Sequence, residues 1–169
     1  MQTKFEIDTV APFCDEHSRI SGTQQQPQQK EIMDWKKFLI AFFAAFGFMF
    51  VFGFIWYGTL MHGAHQEVST LFRAKPDFPW LILGHIVMAF FLTLLCAKFV
   101  PAGGPSTCAL LGLFVALVYV GAHLITFAVQ PITSKILWGW NVGALVQFAV
   151  AGAIIGVIYK PSLPATTRV

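Results

Sequence analysis

Four stretches of this chain carry no charged side chain, and each is long enough to constrain the fold by itself. Phe38 to Met61, Phe78 to Ala97, Phe99 to Ser134 and Ile136 to Tyr159 contain no Asp, Glu, Lys or Arg. A helix crossing the hydrocarbon of a bilayer needs about 20 apolar residues at ~1.5 Å each. The first stretch holds 13 residues of Phe, Leu, Ile and Val, 8 of them Phe. At roughly −0.4 kcal/mol apiece these favour insertion by about 5 kcal/mol. The pattern predicts helices near 38–61, 79–98, 105–130 and 136–159, with Pro105 opening the third and Pro131 closing it.

The connections fit an all-α, up-down bundle of four transmembrane helices. Pro101-Ala102-Gly103-Gly104-Pro105 is a tight turn, and Gln130 to Lys135 is also short. Short loops force neighbouring helices antiparallel. The longest connection, Gly63 to Asp77, is mildly amphipathic through Val68, Leu71 and Phe72 and is expected along the membrane interface. Composition agrees: 56% of the residues are hydrophobic and 11% charged, against roughly 45–50% and about 25% in ordinary globular chains. This balance excludes a soluble enzyme, a disordered chain, a disulfide scaffold and a typical nucleic-acid binder.

Charge is unevenly placed. Residues 1–34 hold six acids (Glu6, Asp8, Asp15, Glu16, Glu31, Asp34) against Lys4, Arg19 and Lys30. With the low-complexity run Gln24 to Gln29 and no apolar signal core, they read as an uncleaved, disordered cytoplasmic tail. Met33 is also a natural internal start. The transmembrane domain then covers 35–160, followed by a short tail at 161–169. Elsewhere the basic residues flank the apolar runs, where they meet lipid headgroups rather than nucleic acid. Lys30, Lys36, Lys37, Lys98, Lys160 and Arg168 share one side; Arg73, Lys75 and Lys135 share the other. The positive-inside rule therefore expects both termini in the cytoplasm. Trp56, Trp80, Trp138 and Trp140 fall at the outer border and Trp35 at the inner one. Cys14, Cys96 and Cys108 have no metal-ligand spacing and read as structural or incidental.

No Asp, Glu, Lys or Arg lies inside a span, which disfavours a proton relay and any catalytic constellation. Histidine stands out instead. His85 is expected roughly 9 Å, His123 roughly 12 Å and Asn141 roughly 9 Å below the outer border. With Tyr57 and Tyr119, these residues form a candidate pocket in the outer half of the bundle. Two histidines on adjacent helices, His85 and His123, could bind a b-type haem from opposite faces. His62, His65 and Glu67 could hold a transition metal at the surface. An apolar or quinone-like ligand is a third occupant. Membrane helices also use such residues simply to bond to one another. Tyr119, His123, Thr126, Gln130 and Gln147 could instead line a path for a small neutral solute through an oligomer.

Gly139, Gly143, Gly152 and Gly156 place two small-x-x-x-small pairs on the last helix, where a second helix can approach closely. Packing inside the same bundle and a homo-oligomer interface both use this pattern. Finally, Gly53-Phe54-Ile55-Trp56-Tyr57 closes the first helix before a polar loop, and a glycine-rich last helix follows. In these two features the chain resembles a family of small bacterial four-helix membrane proteins, the type known as domain of unknown function 1761. That resemblance implies four spans in a bacterial inner membrane and transfers no activity. The functional expectations are therefore three: a non-catalytic accessory or self-associating subunit, a cofactor-binding redox subunit, or an oligomeric solute channel.

Overall fold

A computed structural model describes residues 34–71, 73, 75–100 and 103–159. Residues 1–33 and 160–169, with Cys14, Lys30, Lys160 and Arg168, lie outside these residues, as does Phe72. Helix α1 spans Trp35–Gly53, and Asp34 caps it by accepting from the backbone N–H groups of Lys36 and Lys37 at 3.1 and 3.3 Å. This cap starts the helix three residues before the charge-free stretch begins. A short helix α2 (His62–Gln66) and a 3-10 turn (Ser69–Leu71) follow. Helices α3 (Phe78–Phe99), α4 (Pro105–Val129) and α5 (Ser134–Ile158) complete the described elements, with Pro in the first turn of both α3 and α4. Four spans, from Trp35–Leu60 to Ser134–Ile158, are long and apolar enough to cross a membrane. The protein is an all-α membrane protein.

The first span is not one regular helix. From Phe54 to Leu60 the backbone opens into a π-helix, closed by the Met61 N–H donating to the Trp56 carbonyl five residues back at 3.0 Å. Regular helix to residue 61 was the sequence expectation. The wider turn changes which side chains share a face. Neighbouring residues on an α-helix diverge by ~100°, yet Trp56 and Tyr57 both reach Gly143 of α5. A Cβ there would stand 2.6 Å from the Trp56 indole nitrogen and 2.8 Å from the Tyr57 hydroxyl.

Helix α5 is the hub. Of its most apolar stretch, 50% is buried, against 28% or less for each other span. It packs along α4 on one side and α1 on the other; α1 in turn carries α3, and α3 scarcely meets α4. The α4–α5 seam is backbone against backbone. A Cβ on Gly112 would collide with the Phe148 carbonyl, one on Gly152 with the Cys108 carbonyl, and one on Gly156 would sit 2.7 Å from the Pro105 α-carbon. At the end that bears α2, Gly139 lies under the Met61 side chain. The four glycines singled out on the last helix therefore all meet residues of their own chain, and Gly112, not singled out, completes the seam.

Between α1 and α3 the contact is aromatic, with Phe38 and Phe42 set edge-on to Phe90 at 5.6 and 6.3 Å between centroids. The core is built mostly from small and flexible residues, among them Ala41, Ala45, Met49, Ala89, Ala116, Ala144 and Ala151. Cys96 and Cys108, both buried, face each other within hydrogen-bonding reach where α3 and α4 come closest to sharing a partner. Leu39, Phe43, Phe91, Val118 and Ile125 stay exposed on the outer faces, as a lipid-facing surface requires.

This packing has a direct test. Gly112→Ala and Gly152→Ala should each lower the thermal midpoint in detergent micelles, at a cost of about 1–3 kcal/mol from overpacking. Gly47 and Gly84 have no neighbour within 4 Å of a Cβ position. Alanine at either site should leave the midpoint unchanged or raise it, because glycine inside a helix costs roughly 0.5–1 kcal/mol. Equal losses at all four positions would contradict the seam.

Candidate ligand crevice

The π-helical turn and the start of α3 diverge and leave a crevice of about 240 Å³. Phe50, Gly53, Phe54, Tyr57 and Gly58 form one wall; Pro76, Phe78, Leu81 and His85 form the other. Two glycines open the first wall. Gly58 has only the Phe54 ring at 4.0 Å from its Cβ position, and Gly53 lies directly beneath the His85 ring. His85 is seven residues into α3, roughly 10 Å along the helix.

His85 is held from two sides. Its Nδ1 lies 2.8 Å from the Leu81 carbonyl of the preceding turn, and the Phe50 ring packs edge-on at 5.6 Å. Its Nε2 stands 2.9 Å from where a Gly53 Cβ would be. Close by, Gln147 of α5 is buried and donates its amide to the Met49 carbonyl at 2.8 Å, tying α5 to α1. Tyr57 contributes its ring to the crevice, while its hydroxyl stands against Gly143. The walls are otherwise apolar.

The remaining sequence candidates fall elsewhere. His123 sits in the α4–α5 seam, where its Nδ1 lies 3.0 Å from Asn141 Oδ1. Its ring packs near Trp140 at 5.4 Å and Tyr119 at 6.1 Å, and Tyr119 leans on Phe148 at 4.9 Å. Asn141 is buried, so this bond satisfies a polar group that the bilayer could not. The expected pocket of His85, His123, Tyr119, Asn141 and Tyr57 is thus two sites: His85 and Tyr57 line the crevice, and the other three join helices. His85 faces the crevice between α1 and α3, while His123 bonds across to α5.

The metal set is also dispersed. His62 pairs with Gln66 at 2.9 Å, Glu67 forms an ion pair with Lys135 at 3.1 Å, and His65 Nε2 accepts from the Trp140 indole N–H at 3.2 Å. Among the described residues no three His, Cys, Asp or Glu side chains converge to hold a metal. The solute path fares similarly: Thr126 donates to the Ala122 carbonyl of its own helix at 2.9 Å, and Gln147 faces α1. What sequence reasoning missed is mostly apolar: Phe50, Phe54, Gly58, Pro76, Phe78 and Leu81 look like any lipid-facing residues. The one available signal was Gly53 and Gly58 bracketing Trp56-Tyr57, since two glycines so close weaken a helix.

Fold and crevice together define a four-span membrane protein with an apolar, histidine-marked cleft in one half of the bilayer. Compared with known proteins, the chain matches no family, no curated sequence and no solved structure.

His65 lies outside the spans, in α2, against Trp140. Burial holds its imidazole below the usual histidine range; a hydrogen bond with the Tyr57 backbone opposes that, and His62 adds to it. The unfolded chain, with a histidine pKa of about 6.5, therefore binds the proton more readily. Stability is fully present above that value and is lost as pH falls below it. Between about pH 7.5 and 5.5 the thermal midpoint should drop, and Trp140 emission should change as its acceptor is protonated. His65→Gln should flatten both profiles; an unaltered profile in that variant would remove His65 as the cause.

Proposed function

We propose that this protein is a non-catalytic, multi-pass membrane protein that holds the ring of a small lipid-soluble, quinone-like ligand in the crevice between the π-helical turn and α3. One observation carries the reading. The structure leaves about 240 Å³ of apolar space, marked by a single histidine, at the end of the molecule where the helices are otherwise closely packed. Pockets for drug-sized ligands occupy roughly 300–1,000 Å³, so this one suits a single substituted ring with its tail running into lipid. Within the spans the charged residues are Lys36, Lys37, Lys98 and Lys135, all in end turns, and a membrane interior without acids or arginine supports a binding rather than a catalytic role.

A self-associating subunit gains less support, because Gly139, Gly143, Gly152 and Gly156 are spent within the chain. The reading extends to location. Lys36, Lys37 and Lys98 at one end, with Lys30, Lys160 and Arg168 in sequence, outnumber Arg73, Lys75 and Lys135 at the other. This asymmetry supports cytoplasmic termini, the resemblance at Trp56-Tyr57 supports a bacterial inner membrane, and in that orientation the crevice belongs to the outer leaflet.

Gly58→Leu tests the binding reading. Leucine there extends into open space, so the variant should fold and fill the crevice. Protein purified from membranes in mild detergent should yield about one ring-bearing lipid per chain on extraction and mass analysis, and Gly58→Leu should yield none. Equal recovery from both proteins would refute the assignment.

A further inference from the structure

Two buried thiols at the end of the bundle opposite α2 take no part in the crevice. We infer that Cys96 and Cys108 form a redox-modification site, in which hydrogen peroxide joins them in a reversible disulfide that staples α3 to α4. Placement carries the argument. Cys96 lies one turn before the end of α3, its carbonyl accepting from the Val100 N–H at 3.0 Å. Cys108 lies one turn into α4, its N–H donating to the Gly104 carbonyl at 3.2 Å. The short connection between those turns brings the side chains together, and the thiols stand within hydrogen-bonding reach of each other. Both residues are buried, at 1% and 0% exposure. Room for the pair comes from α5: the Cys108 Cβ stands 3.0 Å from where a Gly156 Cβ would be, so a larger residue there would crowd Cys108.

A single thiol buried among apolar side chains is inert. Two features set this pair apart. Each sulfur has the other beside it, so an oxidised sulfur meets a nucleophile of its own chain. Tyr159 packs on the same buried cluster, and its hydroxyl has no partner among the described residues and lies within electrostatic reach of Cys96. An O–H so placed can donate to a sulfur that becomes negative. The oxidant has to be small and uncharged to enter such a core, and hydrogen peroxide meets both demands. One thiol loses its proton and its sulfur attacks a peroxide oxygen. The O–O bond breaks, and the expelled hydroxide takes up that proton as water, leaving a sulfenic acid. The other thiol then gives up its proton, its sulfur attacks the first, and hydroxide leaves as a second water. The two thiols lose two electrons, and one peroxide is reduced to two waters. The consequence is mechanical. Contacts run in a row from α4 to α5 to α1 to α3, with α3 scarcely meeting α4, and a link from Cys96 to Cys108 closes that row into a ring. At a reducing membrane face such a link is transient, which suits a switch rather than a permanent staple.

The test uses the whole chain in mild detergent, carrying Cys14→Ser so that Cys96 and Cys108 are its two cysteines. The folded protein is treated with hydrogen peroxide, then denatured and labelled with N-ethylmaleimide. Both thiols should take the label before peroxide, neither after it, and both again once dithiothreitol has been applied. On a non-reducing gel the oxidised protein should run as a monomer. Cleavage after Lys98, which lies between the two cysteines, should leave the flanking peptides joined until they are reduced. The linked protein should melt about 5 °C or more above the reduced one, since the bond closes a loop of eleven intervening residues in the unfolded chain. Full labelling after peroxide would overturn the site. So would a loss of label that dithiothreitol does not reverse, the mark of thiols oxidised singly beyond the sulfenic stage. A link between chains, or a linked protein that melts below the reduced one, would show that the sulfurs meet only when the helices come apart, and would overturn it equally.

Discussion

Close backbone approach between α4 and α5 is the constraint on which the rest of the molecule depends. In a bilayer the lipid tails are as apolar as leucine, so helices gain little by merely burying apolar side chains against each other. What remains is dispersion at short range and hydrogen bonds that water cannot replace. Gly112, Gly152 and Gly156 let the two helices meet carbonyl to α-carbon, the shortest separation two backbones reach. With α4 fixed on one side, the other face of α5 becomes the platform for α1. Gln147 and Trp56 then secure it, both donating across to main-chain carbonyls, at Met49 and Gly139.

The same economy of acceptors explains the half of the bundle that bears α2. Backbone carbonyls are the commonest unused acceptors in a helical membrane protein, and here they receive the Trp56 indole, the Gln147 amide and the His85 imidazole. Histidine pairs only where a second side chain is near: His123 with Asn141, His65 with Trp140.

Periodicity and charge made the spans legible, because excluding Asp, Glu, Lys and Arg from some twenty consecutive residues is a demand the hydrocarbon imposes on every helix that crosses it. The glycines of α5 were legible for a related reason, since close packing admits few residue types. The partners of each helix were not. Loop length orders helices along the chain but does not decide that α5 separates α4 from α1, and so the sequence reading set His85 and His123 face to face. That arrangement rests on Gly112, Gly152 and Gly156 together, and Gly112 stands in a run of small residues four apart, Cys108, Gly112 and Ala116, that the sequence reading passed over. The crevice walls were equally hidden, because Phe50, Phe54 and Leu81 are the residue types that face lipid everywhere else on the surface.

The π-helical turn links these observations. An ordinary helix through Phe54–Leu60 would separate Trp56 and Tyr57 by ~100° and let only one of them seat against Gly143. With the turn widened, both aromatic side chains are drawn toward α5, and what they vacate on the α3 side is the space beside Gly53 and Gly58. π-turns recur at functional sites because they sacrifice regular hydrogen bonding for a local change of face. Here the sacrifice has a visible return on both sides of the helix: a tighter contact with α5 and an open cleft toward α3. The cleft is then a consequence of how α1 is fastened to the hub, which ties the ligand site to the glycine that receives Trp56 and Tyr57.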